Sequence, residues 1–408
     1  MMHMECLKKI LYQQLKIFRV VDQFHYPSNI IIQKDGLYDF NILFTSKIKR
    51  LFVISGKGAM RKNGVLDRLE KVAQENSIII EIHNGIDTNP SNLDADKAAQ
   101  HCYEFGPDTV MGLGGGSSLD IAKIVAMLAT NGGSSWDYIS MTGKPGKRIT
   151  KDILPLILVP TTSGTGSETT PYAVITNSES NIKKGMGHSR LYPKLVIIDP
   201  KLLALMPNRL VAITGLDAFG QALEGFTSGR STFFSEQFGW SALEVIIENL
   251  EDSFYNKNNL NAKAKMAWGA ALSGLSIGLV DVNLAHALSH PLSGHYNIQH
   301  GHAVAMCTAP AINYNRNHVN DKYIRVASLF GYQGTSKDSA ADILIDRFKG
   351  WNKDFDLDLK LGNFAKNNND INMLAADALE VGAIKTNVRE VEMSDVVTLF
   401  NQVWNDEI

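Results

Sequence analysis

Cysteine is scarce in this chain of 408 residues. The three cysteines, Cys6, Cys102 and Cys307, are too few and too widely spaced for a disulfide framework or a CxxC metal site. A protein with so little cysteine suits a reducing compartment, and we expect it to reside in the cytoplasm.

Long apolar runs and a strong net charge are also missing. The most apolar stretch, 268–280, is about 13 residues long and is too short to span a bilayer. The segment after Lys8 and Lys9 is broken by polar side chains, so it lacks the apolar core of a signal peptide. The formal net charge is -2 and there is no long basic stripe, so no electrostatic feature favours nucleic acid or an anionic membrane as a partner.

The length exceeds that of a usual single core, so we expect two domains. Up to about residue 200, apolar strand-like runs alternate with amphipathic helical patterns, which predicts a parallel sheet covered by helices on both faces. The predicted strands are 50–55, 78–82, 109–113, 153–159 and 195–198, and the predicted helices between the first four are 63–75, 93–105 and 118–130.

Beyond residue 200 the strand pattern largely disappears. The helical patterns there are 208–227, 234–249, 262–279, 283–288, 303–313 and 337–352. The sequence therefore predicts an α/β domain at 23–200 and an all-α domain at 201–408, preceded by an N-terminal extension at 1–22.

A glycine run, 114–116, follows a predicted strand and opens a predicted helix. Glycine lets the backbone approach a ligand closely, and the free N–H groups and positive dipole end of the helix favour a phosphate. The run lacks the full dinucleotide-binding spacing, so a simple tight turn is an equally good interpretation of this motif alone.

Five of the eleven histidines fall between His286 and His302. His286 and His290 are four residues apart, as are Asp217 and Gln221, so the members of each pair lie on one helix face. A single histidine is more often structural, but this clustering in an apolar, small-residue segment favours a metal site. Carboxylate and imidazole ligands suit a divalent first-row ion and leave a coordination position for substrate.

Several ordered motifs make the chain resemble the iron-containing (group III) alcohol dehydrogenase family, over about residues 24–400. The motifs are GGGSSLDIAK at 114–123, PTTSGTGSE at 160–168, IIDP at 197–200, GLDAFGQALEGF at 215–226 and AHALSHPLSGHYNIQHGHAVA at 285–305. The resemblance implies a dehydroquinate synthase-like fold, in which a Rossmann-like parallel-sheet domain precedes an all-α domain.

The resemblance also implies the roles of individual residues. The pyrophosphate would be held by Gly115, Gly116 and Ser117, with Asp120 supporting the turn. Thr161, Thr162 and Thr165 would lie beside the nicotinamide and phosphates, with a cofactor-side lysine at Lys183 or Lys184. The metal ligands would be Asp217, Gln221, His286 and His300. His290 matches a further histidine near the substrate, and His290 and His302 are the candidate proton relays.

Three features depart from the family pattern. His302 stands where these alcohol dehydrogenases mostly carry an apolar residue, and we expect it, two residues past a ligand, to face the same cavity. Gln221 stands where the family has histidine, and an amide oxygen is a weaker donor than imidazole, although we still expect Fe²⁺, with Zn²⁺ as the alternative. Gly56 and Lys57 stand where many NAD-using relatives carry an acidic residue for the adenosine ribose. With Arg61 and Lys62 nearby, this edge should tolerate the 2′-phosphate of NADP, so NAD and NADP both remain open. The alternative is that these basic residues are a solvated helix start.

The sequence thus predicts a metal-dependent, NAD(P)-linked alcohol dehydrogenase or aldehyde reductase, acting as a cytoplasmic homodimer on a small alcohol or aldehyde. Polar residues at Asp281, Asn283 and His295 favour a polar substrate of the phosphonoacetaldehyde or sugar-acid type. One alternative is a dehydroquinate synthase-like lyase, which the tract after Thr162 and the absence of glutamate at 302 disfavour. A second is a non-catalytic NAD-binding relative that has lost its metal through Gln221.

Overall fold

The computed structural model describes residues 24–39, 41, 48–319, 321–365 and 370–407. The predicted N-terminal extension, 1–22, lies outside the described residues. The strands are β1 (Asn29–Ile32), β2 (Arg50–Gly56), β3 (Ile79–Ile86), β4 (Thr109–Gly114), β5 (Leu156–Pro160), β6 (Tyr172–Thr176), β7 (Lys183–Gly187) and β8 (Leu195–Ile198).

The helices of the first half are α1 (Ala59–Lys62), α2 (Val65–Glu75), α3 (Asn92–Phe105) and α4 (Gly116–Asn131). Those of the second half are α5 (Pro200–Leu203), α6 (Asn208–Thr227), α7 (Phe233–Tyr255), α8 (Leu260–Val280), α9 (Leu284–Tyr296), α10 (His300–Asn315), α11 (Lys322–Ser328), α12 (Lys337–Asp354), α13 (Ile371–Glu380) and α14 (Met393–Asn405).

The main sheet has six parallel strands in the order β1-β8-β5-β4-β2-β3. Every residue of β4 and β5 is buried, because helices and loops cover both faces of the sheet. The strand order changes direction beside β4, and β4 lies between β5 and β2, so the carboxyl ends of these parallel strands meet at one edge of the sheet, where open α/β sheets bind ligands. The predicted fold class, a parallel-sheet α/β half followed by a helical half, is confirmed.

The helical half encloses a second core formed by apolar residues of α6 to α14. A smaller cluster joins the two halves, since Val196 and Ile198 of β8 pack with Ala267 and Ala271 of α8. The division into two domains at residue 200 remains a prediction. No single described helix is long and apolar enough to cross a membrane, although α8 and α9, bent by 101°, pass that test as a pair.

Several elements differ from the sequence expectation. The helix predicted at 63–75 begins two residues later, at Val65, because Gly64 before it adopts a left-handed φ of 69°, and the short helix α1 that precedes it was not predicted. The helix predicted at 283–288 continues to Tyr296 with Pro291 inside it, so His286 and His290 share one helix. The antiparallel hairpin of β6 and β7 was not predicted, because the β7 sequence KKGMG carries no strand pattern.

Candidate cofactor and metal site

The glycine run joins β4 to α4. The strand ends at Gly114 and the helix begins at Gly116, so the first N–H groups of α4 lie at the carboxyl edge of the sheet. A Cβ at position 116 would lie 2.7 Å from Thr165 Cγ2, and one on Gly115 would lie 3.3 Å from Thr162 Cγ2. This close approach requires glycine at 116 and gives the loop the form of a phosphate-binding turn.

Ser117, Thr161 and Gly56 also lie at this loop. Ser117 Oγ donates a hydrogen bond to the Thr88 carbonyl oxygen at 2.8 Å. The Thr161 amide donates to the Gly114 carbonyl oxygen at 2.8 Å. The segment 160–168, here called the threonine tract, therefore begins beside the glycines. Gly56 ends the neighbouring strand, and its amide nitrogen would lie 3.9 Å from a Cβ on Gly114. The structure therefore brings these predicted cofactor residues together.

Asp120, predicted to support the glycine turn, holds the threonine tract through its side chain. Its Oδ1 accepts from Ser167 Oγ at 2.5 Å, and its Oδ2 accepts from the Val174 amide at 3.0 Å. Burial raises the pKa of Asp120, and the ammonium of Lys123, 3.8 Å away, opposes that rise. The support that Asp120 lends to the cofactor loop is thus indirect, through the tract packed against it.

Lys123 was not singled out from the sequence, although it closes the GGGSSLDIAK motif. Its fully buried ammonium donates to the carbonyl oxygens of Ser167 at 2.6 Å, Thr170 at 3.1 Å and Tyr172 at 2.6 Å. Burial lowers the pKa of Lys123 to about 8, which the nearby Asp120 carboxylate opposes. A lysine on the apolar face of α4 was the signal available in the sequence, because a buried charge requires partners of this kind.

The structure distinguishes the two candidate lysines. Lys183 is buried, and its Nζ donates to Asn89 Oδ1 at 3.1 Å. Asn89 Nδ2 in turn donates to Asn297 Oδ1 at 2.9 Å, which links the loop between β3 and α3 to the end of α9. Lys184 turns away, with its Nζ 3.7 Å from Glu380. Burial lowers the pKa of Lys183 to about 8.

Three predicted metal ligands converge from three helices. Asp217 lies in α6, His286 in α9, and His300 is the first residue of α10. One ligand atom from each lies within 4.8 Å of the others. His286 Nε2 is 3.3 Å and His300 Nε2 is 4.0 Å from Asp217 Oδ1. A carboxylate with two imidazoles is a donor set that fits Fe²⁺ or Zn²⁺.

Glu224 orients His286 from behind, a role that the sequence analysis missed. Its Oε2 accepts from His286 Nδ1 at 2.6 Å and from the Asn283 amide at 2.9 Å, and its Oε1 accepts from the Ala285 amide at 2.6 Å. Burial lowers the pKa of His286, but Glu224 and Asp217 together outweigh burial and raise it to about 10. This buried position favours a cation at His286 Nε2, as a carboxylate–histidine–metal arrangement requires. The sequence signal for Glu224 was its position, seven residues after Asp217 in the same helix.

His290 and His300 each present an unsatisfied nitrogen. The Nδ1 atoms of both are buried and have no hydrogen-bond partner among the described residues. Their ring centroids are 5.9 Å apart. Burial lowers the pKa of His290 to about 3 and that of His300 well below its usual range, and the charge of Lys183 adds to both shifts. Neutral imidazoles with unsatisfied nitrogens are expected where a ligand or metal binds.

Gln221 lies one turn after Asp217 and links two parts of the site. Its Nε2 donates to the Thr165 carbonyl oxygen at 3.2 Å, and its Oε1 accepts from Ser273 Oγ at 3.1 Å. The same Thr165 packs against Gly116. Helix α6, which carries the predicted metal ligands Asp217 and Gln221, therefore meets the predicted cofactor loop at Thr165. Oε1 keeps a second lone pair, which leaves it able to coordinate.

His302 is not brought to the cluster, contrary to the expectation that it faces the same cavity. Arg209 Nη2 donates to its Nδ1 at 3.2 Å, and its Nε2 donates to the Asp358 carbonyl oxygen at 2.6 Å. Two residues after His300 on a helix, its side chain points to another face and packs on Phe364. A proton-relay role for His302 is therefore withdrawn.

The polar residues expected to face a substrate are mostly engaged elsewhere. His295 Nε2 lies 2.6 Å from Asp377 Oδ2. The Asn283 side chain donates to the Glu224 carbonyl oxygen at 3.2 Å and accepts from the Leu284 amide. These two contacts weaken the sequence argument for a polar substrate.

The basic residues after β2 are paired. Lys57 forms an ion pair with Asp87, and Arg61 lies 2.6 Å from Asp67 and 2.7 Å from Glu70. The positive charge expected at this edge is thus partly neutralised by neighbouring carboxylates.

Comparison with known proteins covers both halves of the chain. A family profile described as iron-containing alcohol dehydrogenase matches residues 27–200, and the profile of the Fe-containing alcohol dehydrogenase family C-terminal region matches 211–404. The choline dehydrogenase of Bacillus subtilis (strain 168) is 34% identical over 276 residues, 68% of each chain. The NAD-dependent methanol dehydrogenase of Bacillus methanolicus is 27% identical, over 83% of this chain and 88% of its own.

The fold is shared with solved structures. That of an archaeal halo-thermophilic alcohol dehydrogenase from a Red Sea brine pool superimposes with a TM-score of 0.89 at 31% identity, covering 95% of this chain and 100% of that one. The similarity therefore extends through the crevice that holds the glycine loop and the Asp217–His286–His300 group.

Proposed function

The chain belongs to the iron-containing alcohol dehydrogenase family, and on that premise we propose that it is a metal-dependent, NAD(P)-linked alcohol dehydrogenase or aldehyde reductase. The observation that carries the proposal is the meeting of two sites at Thr165. Its side chain packs on Gly116 of the phosphate-binding turn, and its carbonyl oxygen accepts from Gln221, one turn from Asp217. A nicotinamide in this crevice would lie between the pyrophosphate site and the metal ligands.

The proposed metal ligands are Asp217, Gln221, His286 and His300, and Glu224 keeps Nε2 of His286 directed at the ion. A bound divalent ion, with Fe²⁺ proposed and Zn²⁺ as the alternative, supplies Lewis acidity toward the substrate oxygen. A bound nicotinamide would supply hydride acceptor and donor chemistry at C4, so that oxidation of an alcohol would yield the aldehyde, the reduced cofactor and one proton.

The remaining residues bind the cofactor and carry the proton. The N–H groups of Gly115, Gly116 and Ser117 would hold the pyrophosphate of the cofactor, and Thr161, Thr162 and Thr165 would line the nicotinamide side of the site. Lys183, whose Nζ donates to Asn89 Oδ1, would donate to the bound cofactor. The neutral imidazole of His290 would accept a hydrogen bond from the alcohol at Nδ1, the nitrogen that lacks a partner among the described residues, and would relay the proton to solvent.

The activity is tested by an anaerobic screen of small alcohols and aldehydes, following nicotinamide absorbance, with protein loaded with Fe²⁺ or Zn²⁺. We expect cofactor-linked turnover that disappears when the ion is removed and returns when it is restored. Cofactor binding without turnover of any alcohol would favour the non-catalytic alternative, and metal-dependent loss of phosphate from a phosphorylated sugar acid would favour the lyase.

His290→Ala is expected to lower kcat by about 100-fold, because the proton acceptor is lost. His302→Ala is the matched control, since it removes a buried imidazole two residues from a metal ligand. We expect His302→Ala to cost about 1–3 kcal/mol of unfolding free energy, because the Asp358 and Arg209 groups lose their partner, with kcat within about twofold. Steady-state kinetics and thermal unfolding of both variants measure this contrast, and a large kcat loss in His302→Ala alone would reverse the assignment.

The finer points of location, assembly and substrate are proposals too. The scarcity of cysteine supports a cytoplasmic enzyme, and the family resemblance supports a homodimer, which light scattering of the purified protein would measure. A substrate carrying an anionic group, of the phosphonoacetaldehyde or sugar-acid type, is supported by the positive charge of Lys183, which acts on His300, and by the relation to the sulfoacetaldehyde reductase of Bilophila wadsworthia (strain 3_1_6), which is 30% identical over 334 residues. The substrate screen should therefore include aldehydes with anionic groups.

A further inference from the structure

Lys57 and Asp87 form an ion pair at the carboxyl edge of β2 and β3. Gly56 at the end of β2 is in register with Ile86 at the end of β3. The residues that follow, Lys57 and Asp87, therefore leave the sheet side by side. The Lys57 ammonium holds the pKa of the Asp87 carboxyl below its usual range, so this carboxylate is ionised at neutral pH.

This ion pair lies next to the phosphate-binding turn. Thr88, which follows Asp87, accepts a hydrogen bond from Ser117 Oγ at 2.8 Å. In the sheet order, β5 and the threonine tract lie on one side of β4, and β2 and β3 lie on the other. A dinucleotide with its pyrophosphate on the turn and its nicotinamide over the tract therefore extends its adenosine half over β2 and β3.

Resting on the proposed function, we infer that Asp87 determines in part which cofactor is bound. Its carboxylate disfavours the 2′-phosphate of NADP, while the ammonium of Lys57 favours it. Because β2 ends in Gly56, the carboxylate at this edge comes from the neighbouring strand. The preference between NAD and NADP is set by these two opposed charges. Arg61 contributes less, because it pairs with two carboxylates, Asp67 and Glu70, whose combined charge exceeds its own.

The expected effect is moderate because the pair is solvated. The side chains of Lys57 and Asp87 are 66% and 50% exposed, so water screens their fields. Removing one unit charge a few ångströms from a phosphate in such surroundings changes relative affinity by about five- to tenfold.

The experiment measures binding of ADP-ribose and of its 2′-phosphorylated form to the metal-loaded protein by calorimetry, beside kcat/KM for NADH and NADPH. Asp87→Asn should raise the preference for the 2′-phosphorylated ligand about five- to tenfold, and Lys57→Met should lower it by a similar factor. Asp67→Asn is the matched control, since it removes an ion-paired carboxylate from α2, and it should change the preference less than about twofold.

The outcomes separate this inference from the proposed function. Suppose that the wild-type protein oxidises alcohols but that Asp87→Asn changes the preference for the 2′-phosphorylated ligand by less than twofold. This result would overturn the role of Asp87 and leave the dehydrogenase assignment intact. If the wild-type protein binds neither ADP-ribose nor its 2′-phosphorylated form, both the proposed function and this inference fail. An equal shift in Asp67→Asn would show a general charge effect and would also overturn the specific role.

Discussion

Gly116→Asp is expected to abolish cofactor binding, with an increase in Kd of more than about 100-fold, while the fold is retained. Gly116 is the first residue of α4, and a Cβ there would lie 2.7 Å from Thr165 Cγ2 and 2.8 Å from its Oγ1. The new carboxylate would also place negative charge at the helix N-terminus proposed to bind the pyrophosphate, and each tenfold loss of affinity corresponds to about 1.4 kcal/mol. Nicotinamide fluorescence titration, with thermal unfolding as the check of folding, measures the effect.

Two further variants separate the steric and electrostatic parts of this loss. Gly116→Ala introduces only the Cβ contact with Thr165, so we expect an intermediate affinity. Gly350→Asp adds the same charge to α12, where a Cβ meets nothing within 4 Å, and it should bind the cofactor normally. Wild-type affinity in a folded Gly116→Asp protein would refute the assignment of this loop to the cofactor.

His286→Ala is expected to remove the bound ion and to lower kcat by more than about 1,000-fold, because Lewis acidity toward the substrate oxygen is lost. The substitution leaves Asp217 and His300 without the central imidazole, and it leaves Glu224 buried without its histidine partner. Glu224→Gln keeps the size of the side chain but replaces one acceptor oxygen with a donor. We expect it to weaken metal affinity by about 10–100-fold.

Metal binding by these variants is best measured as the ion content of the protein after dialysis against a chelator, since that value does not depend on turnover. Gln221→His should keep or tighten metal binding, because imidazole is the stronger donor to iron or zinc. Gln221→Ala should weaken it and also loosen the tract, because the bond to the Thr165 carbonyl oxygen is lost. Full activity of protein from which the ion has been verifiably removed would refute the metal-based mechanism.

Much of the site was accessible from the sequence because its signals are local. A strand, three glycines and a helix in succession predict where α4 presents its N–H groups, and the structure has that order at Gly114–Gly116. The four-residue spacing of His286 and His290 predicts a shared helix face whatever the rest of the fold. Asp217, His286 and His300 were predicted together from their family motifs, and the structure brings their ligand atoms within 4.8 Å.

Other features could not be predicted, because they depend on which distant elements pack together. Whether Lys183 or Lys184 faces the crevice is decided by the pairing of β6 with β7, which carries too weak a strand pattern to predict. Glu224 and Lys123 were overlooked because their partners, at His286 and in the tract, are 62 and about 44–49 residues away in the chain.

The sequence by itself thus determined the family, the order of a parallel-sheet half and a helical half, and the residue types of both candidate sites, since these follow from composition, spacing and motif. Only the tertiary structure decided that His302 bonds to Arg209 and Asp358, away from Asp217, His286 and His300, and that Lys57 meets Asp87 across two strands. The physical reason is that spacing along a helix or strand specifies which residues share a face. The groups that satisfy a buried nitrogen or oppose a charge on that face come from elements far away in the chain, and packing alone brings them there.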